Sequence, residues 1–165
     1  MSQPHPDAAA IVKCAVLTVS DTRTPDTDKS GDLMRSRLAT APHQVIASAL
    51  LKDEPESVRS QIAQWVAMPN IDAILINGGT GIAPRDTTYE AIAALLTKTL
   101  PGFGELFRML SYEQIGSRAM ASRAIAGVCR STLIFSTPGS SKAVELAMDR
   151  LILPELIHLT TQMRG

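Results

Sequence analysis

The residues that could do chemistry fall into a few short stretches. In "INGGTGIAPRDTTYE" (76–90), Gly78, Gly79, Thr80 and Gly81 come directly after the apolar run "IDAILI" and just ahead of Asp86. Glycines allow a backbone to approach an anion closely and leave its N–H groups accessible. A second bare turn, Pro138, Gly139, Ser140, Ser141 and Lys142 in "STPGSSK", leads into a helical pattern. A helix start favours anions, and Lys142 adds a counter-charge. Two more acidic positions, Ser20-Asp21 closing "TVSD" and Asp53 in "LKDEP", also follow apolar runs. Carboxylates beside two such turns can hold Mg²⁺ against a ligand's phosphates. The residue types therefore predict a site for a phosphate-bearing molecule.

Each feature also has a local explanation. A glycine turn after a strand can be only a tight turn. Thr87 with Glu90 forms a capping-box pattern, Asp53 stands ahead of the helix start at Glu54-Pro55, and Asp21 can close a turn through its side chain. Taken singly, each carboxylate reads as structural; the combination points to a ligand. The familiar nucleotide signatures do not fit. There is no Gly-Lys dipeptide for a P-loop, and Pro84 stands where a dinucleotide fingerprint needs its last glycine, which disfavours a nicotinamide-dependent oxidoreductase. "DTDKSG" imitates the start of a calcium loop, but its twelfth position would be Arg37.

The elements that must position these residues alternate between strand and helix. "KCAVLTVSD", "HQVIASALLKD" and "IDAILI" read as strands, and "AGVCRSTLIFSTPGSSK" as two more, broken near Arg130 and Ser131. Helical spacing joins Met34, Leu38 and Ala41; Val58, Ile62, Trp65 and Val66; and Phe103, Leu106, Phe107 and Leu110. A helix is expected around 88–97, and a last one carries Val144, Ala147, Met148, Leu151 and Ile152, with Pro154 set to end or kink it. This alternation predicts a three-layer α/β/α domain with a mostly parallel sheet over residues 11–165, after a flexible polar lead-in over 1–10. In such sheets ligands sit at the carboxyl ends of the strands, where all three loops fall.

Composition bounds the functions. A chain of 165 residues with 45% apolar and 19% charged residues suits one soluble domain. Sixteen basic against sixteen acidic residues exclude the basic excess of a general nucleic-acid binder. No apolar run is long enough for a membrane span, and "MSQPHPDAAA" is not a signal peptide. Cys14 and Cys129 sit in apolar runs without metal-ligand spacing, which predicts free thiols in a cytoplasmic protein. His5, His43 and His158 show no metal-binding spacing, and Trp65, Phe103, Phe107 and Met109 read as packing or subunit contacts.

Four blocks in order, "TVSD", "INGGTGIAPRDTTYEAI", "LPGFGELFRMLSYEQIGSRAMASRAIAGV" and "LIFSTPGSSKA", resemble the MoaB/Mog family of molybdenum cofactor biosynthesis proteins. The third block looks most like the MoaB branch, and the likeness runs from about residue 12 to 155. The resemblance implies a three-layer α/β fold assembled as homotrimers or homohexamers, with possible links to other proteins of the pathway. It implies binding of molybdopterin and transfer of AMP from ATP, with Mg²⁺, to the pterin's terminal phosphate. On the matching positions, Gly78 to Gly81 would cradle a phosphate, Asp53 and Asp86 would act in catalysis and hold Mg²⁺, and Ser20 and Asp21 would line the pocket. Pro138, Gly139, Ser140, Ser141 and Lys142 would contact the nucleotide. Where Mog-type members show Pro-Asp, this chain has Thr88-Tyr89-Glu90. A non-catalytic pterin carrier and a structural oligomer are the competing readings; the presence of both Asp53 and Asp86 favours the enzyme.

Overall fold

The computed structural model describes residues 10–165; the lead-in expected over 1–10 lies, but for Ala10, outside them. Three apolar runs become the sheet's central strands: β1 (Lys13–Val19), β3 (Ala73–Asn77) and β6 (Thr132–Thr137). Their near-continuous apolar character follows from burial on both faces. They are joined by β2 (Gln44–Leu51), β4 (Lys98–Thr99) and β5 (Ile125–Cys129) in the order β2-β1-β3-β6-β5-β4. The first four run parallel, while β5 is antiparallel to both β6 and β4, so the sheet is mixed. The β5–β6 reversal takes two residues, with Arg130 at φ 55°.

Alternation along β1 sorts the core into two layers. Cys14 and Val16 face Met34 and Leu38 of α1 (Lys29–Thr40), with Phe103 and Phe107 of α4 (Pro101–Ile115) and Val144 of α5 (Ser141–Ala147). Ala15, Leu17 and Val19 face Val58, Ile62 and Trp65 of α2 (Pro55–Val66) and Ile92 of α3 (Thr88–Ala93). Trp65 is thus core, and the three-layer expectation holds. Helix α3 stops at Ala93 rather than near 97. Beyond it Leu95 and Leu96 pack against the second core layer, and Lys98–Thr99 pairs with β5 as an edge strand.

Pro154 neither ends nor breaks the last helix. A wide turn over Met148–Ile152, closed by Leu153 N–H donating to the Met148 carbonyl, leads into α6 (Leu153–Arg164). The widened turn accommodates a ring without an N–H that would crowd a regular α-turn. Leu106 and Met109 of α4 are exposed together with Tyr112 and Ile115, although Leu106 shares helical spacing with buried Phe103 and Phe107. Cys14 and Cys129 are free thiols, the first buried and the second half-buried. Among the described residues no helix is long and apolar enough to cross a membrane.

Candidate ligand cleft

The chain leaves β1 to the left in the sheet order, towards β2, and then crosses β1 to enter β3. A crevice opens at such a reversal, outside the carboxyl ends of the strands. Because β1, β3 and β6 are neighbours, the loops at 20–28, 78–87 and 138–140 converge there. They form a cleft of about 470 Å³ lined by Ser20, Asp21, Arg23, Asp53, Gly78, Gly79, Thr80, Gly81, Asp86, Arg118, Ser122, Pro138 and Gly139, among others.

Buried Asp28 anchors the first loop. It caps α1 by accepting from Gly31 N–H and takes the Thr18 hydroxyl at 2.8 Å. Those contacts give Asp28 of "DTDKSG" a structural role. Ser20 Oγ accepts from the Arg23 backbone at 3.1 Å, folding the loop back on itself.

Gly78 and Gly79 take φ of 98° and 68°, and a Cβ on either would collide with the protein itself. At Gly78 it would stand 2.0 Å from the Val19 carbonyl, and at Gly79 1.9 Å from Thr88 Oγ1. The bareness of this turn therefore has a cause internal to the fold.

Its hydrogen bonding is one-sided. The Gly79 carbonyl accepts from Thr88 N–H at 3.1 Å. The Thr80 and Gly81 carbonyls both accept from Arg123. The N–H groups of Gly79, Thr80 and Gly81 donate to no acceptor among the described residues. Successive backbone donors without partners, in a cleft wall, make an anion-binding concavity.

The acids divide by what they already hold. Asp53, 4% exposed, accepts from the Thr87 hydroxyl at 2.8 Å and the Thr88 hydroxyl at 3.1 Å, and more weakly from Thr87 N–H. The expected capping box is thereby replaced: Thr87 makes no side-chain cap, and Glu90 pairs with Arg123. Asp21 is gripped by Arg85, whose hydrogen bonds and charge hold its carboxyl below the ordinary range. Asp86, half-exposed, has no side-chain partner among the described residues, and its Oδ2 lies 2.7 Å from where a Gly81 Cβ would stand. Asp86 and Asp53 thus offer carboxylate oxygen to one cleft, a donor set that suits a cation shared with phosphate oxygens. Among the described residues no group of three or more His, Cys, Asp or Glu side chains is arranged as an all-protein metal cage.

The last turn is split between two cavities. Pro138 and Gly139 line the cleft, and Gly139 abuts Gly78 closely. Ser140 and Lys142 line an adjoining cavity of about 740 Å³ with Phe107, Ile115, Leu146 and Arg150; the two share Ser122 and Pro138. Ser140 Oγ caps α5 by accepting from Ala143 N–H, and Ser141 Oγ lies 3.5 Å from Ser30 Oγ, so both hydroxyls have local work. Four arginines escaped the sequence reading. Arg23 and Arg118 line the cleft, Arg85 bridges Asp21 to Glu54, and Arg123 holds the glycine turn from outside. The partners of the Arg23, Arg85 and Arg123 side chains lie more than thirty residues away in the sequence.

An α/β domain with a cleft at its topological reversal, walled by backbone donors, is the class these features define. Comparison narrows it. The family model for the probable molybdopterin binding domain matches residues 15–158. Molybdenum cofactor biosynthesis protein B of Bacillus subtilis is 55% identical over 159 residues, 96% of this chain and 94% of the relative. A crystal structure of a molybdenum cofactor biosynthesis protein B superposes with a TM-score of 0.92 at 51% identity, covering 95% of this chain and 98% of that one. The tungsten cofactor synthesizing protein MoaB from Pyrococcus furiosus superposes with a TM-score of 0.85 at 32% identity, over 94% and 98% of the two chains. The chain belongs to the MoaB/Mog family.

Proposed function

We propose that this protein acts in molybdenum cofactor biosynthesis, binding molybdopterin and transferring AMP from ATP to its terminal phosphate. The observation that carries the reading is the run of N–H groups at Gly79, Thr80 and Gly81, without acceptors among the described residues, in the wall of a cleft that also holds Asp86. Its relatives are named for the same pathway.

In this reading an oxygen of the pterin phosphate forms a bond to the α-phosphorus of ATP, and pyrophosphate leaves with the electrons of the broken P–O bond. The glycine turn binds and orients phosphate oxygens, with Arg23 and Arg118 adding positive charge at the rim. Asp86 and Asp53 would hold Mg²⁺, which supplies charge neutralisation for the phosphates. Ser20 and Asp21 line the same wall. The nucleotide extends past Pro138 and Gly139 into the adjoining cavity towards Ser140, Ser141 and Lys142. Positioning does most of the catalysis.

The exposed apolar residues of α4, with Met120 and Ile82, support assembly as a homotrimer or homohexamer. The balanced charge and free thiols suit a cytoplasmic protein that handles small anions rather than nucleic acid. One observation favours the carrier reading: Asp53 Oδ1 already accepts from the Thr87 and Thr88 hydroxyls, which leaves Asp86 as the only site carboxylate without side-chain partners among the described residues. Incubation of the purified protein with molybdopterin, ATP and Mg²⁺ separates the two. Adenylylated pterin with pyrophosphate establishes the transferase, and bound pterin without product establishes the carrier.

A further inference from the structure

Two carbonyls of the glycine turn are held by a residue outside the cleft. Arg123 Nε donates to the Thr80 carbonyl at 3.0 Å, and Nη2 donates to the Gly81 carbonyl and, at 3.4 Å, to that of Asp86. Its Nη1 pairs with Glu90, and its guanidinium lies 4.9 Å from the centre of the Tyr89 ring. One planar fork therefore gathers carbonyls from both ends of the 80–86 loop while α3 holds the fork in place. Arg123 is not among the residues that line the cleft.

A peptide unit has its N–H and C=O on opposite sides, so drawing a carbonyl one way turns the following N–H the other. Fixing the carbonyls of Thr80 and Gly81 turns the N–H groups of Gly81 and Ile82 away from Arg123, while the Thr80 N–H is set by the Gly79 carbonyl, which accepts from Thr88 N–H. The same fork fixes the backbone of Asp86 and thereby the origin of its carboxylate. Lysine, a point charge without a planar fork, cannot hold several carbonyls in one geometry.

We infer that Arg123 is the positioning residue of this site: it never touches the ligand, but it orders the Gly81 end of the anion cradle and sets Asp86 beside it. The inference rests on the proposed function for the identity of the ligand, not for the ordering of the turn.

The test uses the full-length protein, its Arg123→Lys variant, and Glu90→Gln, which loosens the anchor while leaving the turn's own bonds intact. Backbone ¹⁵N relaxation without ligand reads the turn, and titration with Mg-ATP reads the cradle. Wild-type Thr80 and Gly81 should be as rigid as the strands, with order parameters of about 0.85, falling below about 0.6 in Arg123→Lys. Affinity for Mg-ATP should fall about 10- to 100-fold in that variant, with a smaller loss of both in Glu90→Gln. A rigid turn with weakened binding would make Arg123 a direct ligand contact, and unchanged binding would remove it from the site; either overturns the inference. If Arg123→Lys does not fold, Glu90→Gln decides by the same two readouts. If the wild type fails to bind Mg-ATP, the proposed nucleotide chemistry fails, while the relaxation data still decide whether Arg123 orders the turn.

Discussion

Arg85 holds Asp21 through two bonds, Nε to Oδ2 at 2.8 Å and Nη2 to Oδ1 at 2.9 Å. The pair ties the loop after β1 to the loop after β3, and the same Nη2 reaches Glu54 Oε1 at 2.8 Å. Asp21 is also the acceptor for Asp53 N–H at 3.1 Å, so the clamp reaches the backbone of a second site carboxylate.

The clamp predicts a pH dependence. Arg85 lowers the Asp21 pKa in the folded protein from its ordinary 3.8, so the unfolded state binds more protons near that value. The stabilisation is present above the ordinary value and is lost as pH falls through the depressed one. Thermal unfolding of wild type and Asp21→Asn should therefore differ at neutral pH and converge in acid below the depressed Asp21 value. A gap that persists there would mean Asp21 acts through something other than its charge.

Asp53 and Asp86 should part company when each is replaced. Asp53→Ala leaves two threonine hydroxyls without their acceptor in a buried site, at a cost of about 1–3 kcal/mol. Asp86→Asn disturbs no side-chain bond and should stay within about 0.5 kcal/mol of wild type while abolishing adenylylation. Urea titrations check the stabilities, and turnover by the Asn variant would remove Asp86 from the chemistry.

Gly79 should be intolerant for reasons that precede any ligand. Its positive φ and the nearness of Thr88 Oγ1 make Gly79→Ala destabilising by more than about 2 kcal/mol. Gly102, in the first turn of α4, has nothing within 4 Å of an added Cβ, and Gly102→Ala should be neutral or stabilising by about 0.5–1 kcal/mol. Equal melting temperatures for the two variants would contradict the turn geometry.

His43 offers a second pH test, with the opposite kind of group. Its Nδ1 accepts the Val12 N–H at 3.2 Å, and burial lowers its pKa from 6.5. The unfolded state takes up the proton first, so stability should fall as pH drops below 6.5 towards the depressed folded value. His43→Gln should flatten that stretch of the stability–pH curve, and an unchanged slope would assign it to other groups.

Much of this was legible in the sequence. The doubly buried strands showed as unbroken apolar runs at 14–17 and 73–76, and their alternation with helices set the layers. The glycine turn and Asp86 are close in sequence, so their association needed no tertiary information. What sequence order hides is the partner at a distance. Thr87 and Glu90 have the spacing of a capping box, yet Thr87 turns to Asp53, 34 residues earlier, and Glu90 turns to Arg123, 33 residues later. The role of Arg85 was illegible for the same reason, since it reaches back 64 residues to Asp21. Lys142, grouped with the glycine turns by its neighbours in sequence, faces the adjoining cavity because α5 begins at Ser141 and carries it away.

The central claim is that the open N–H groups of Gly79, Thr80 and Gly81 receive phosphate. Titration of ¹⁵N-labelled protein with Mg-ATP, followed by amide chemical shifts, tests it most directly. The account predicts that these three amides move furthest downfield and saturate together. Shifts confined to Lys142, Arg150 and the wall around Leu146, with the turn unmoved, would place the phosphates in the adjoining cavity and contradict it.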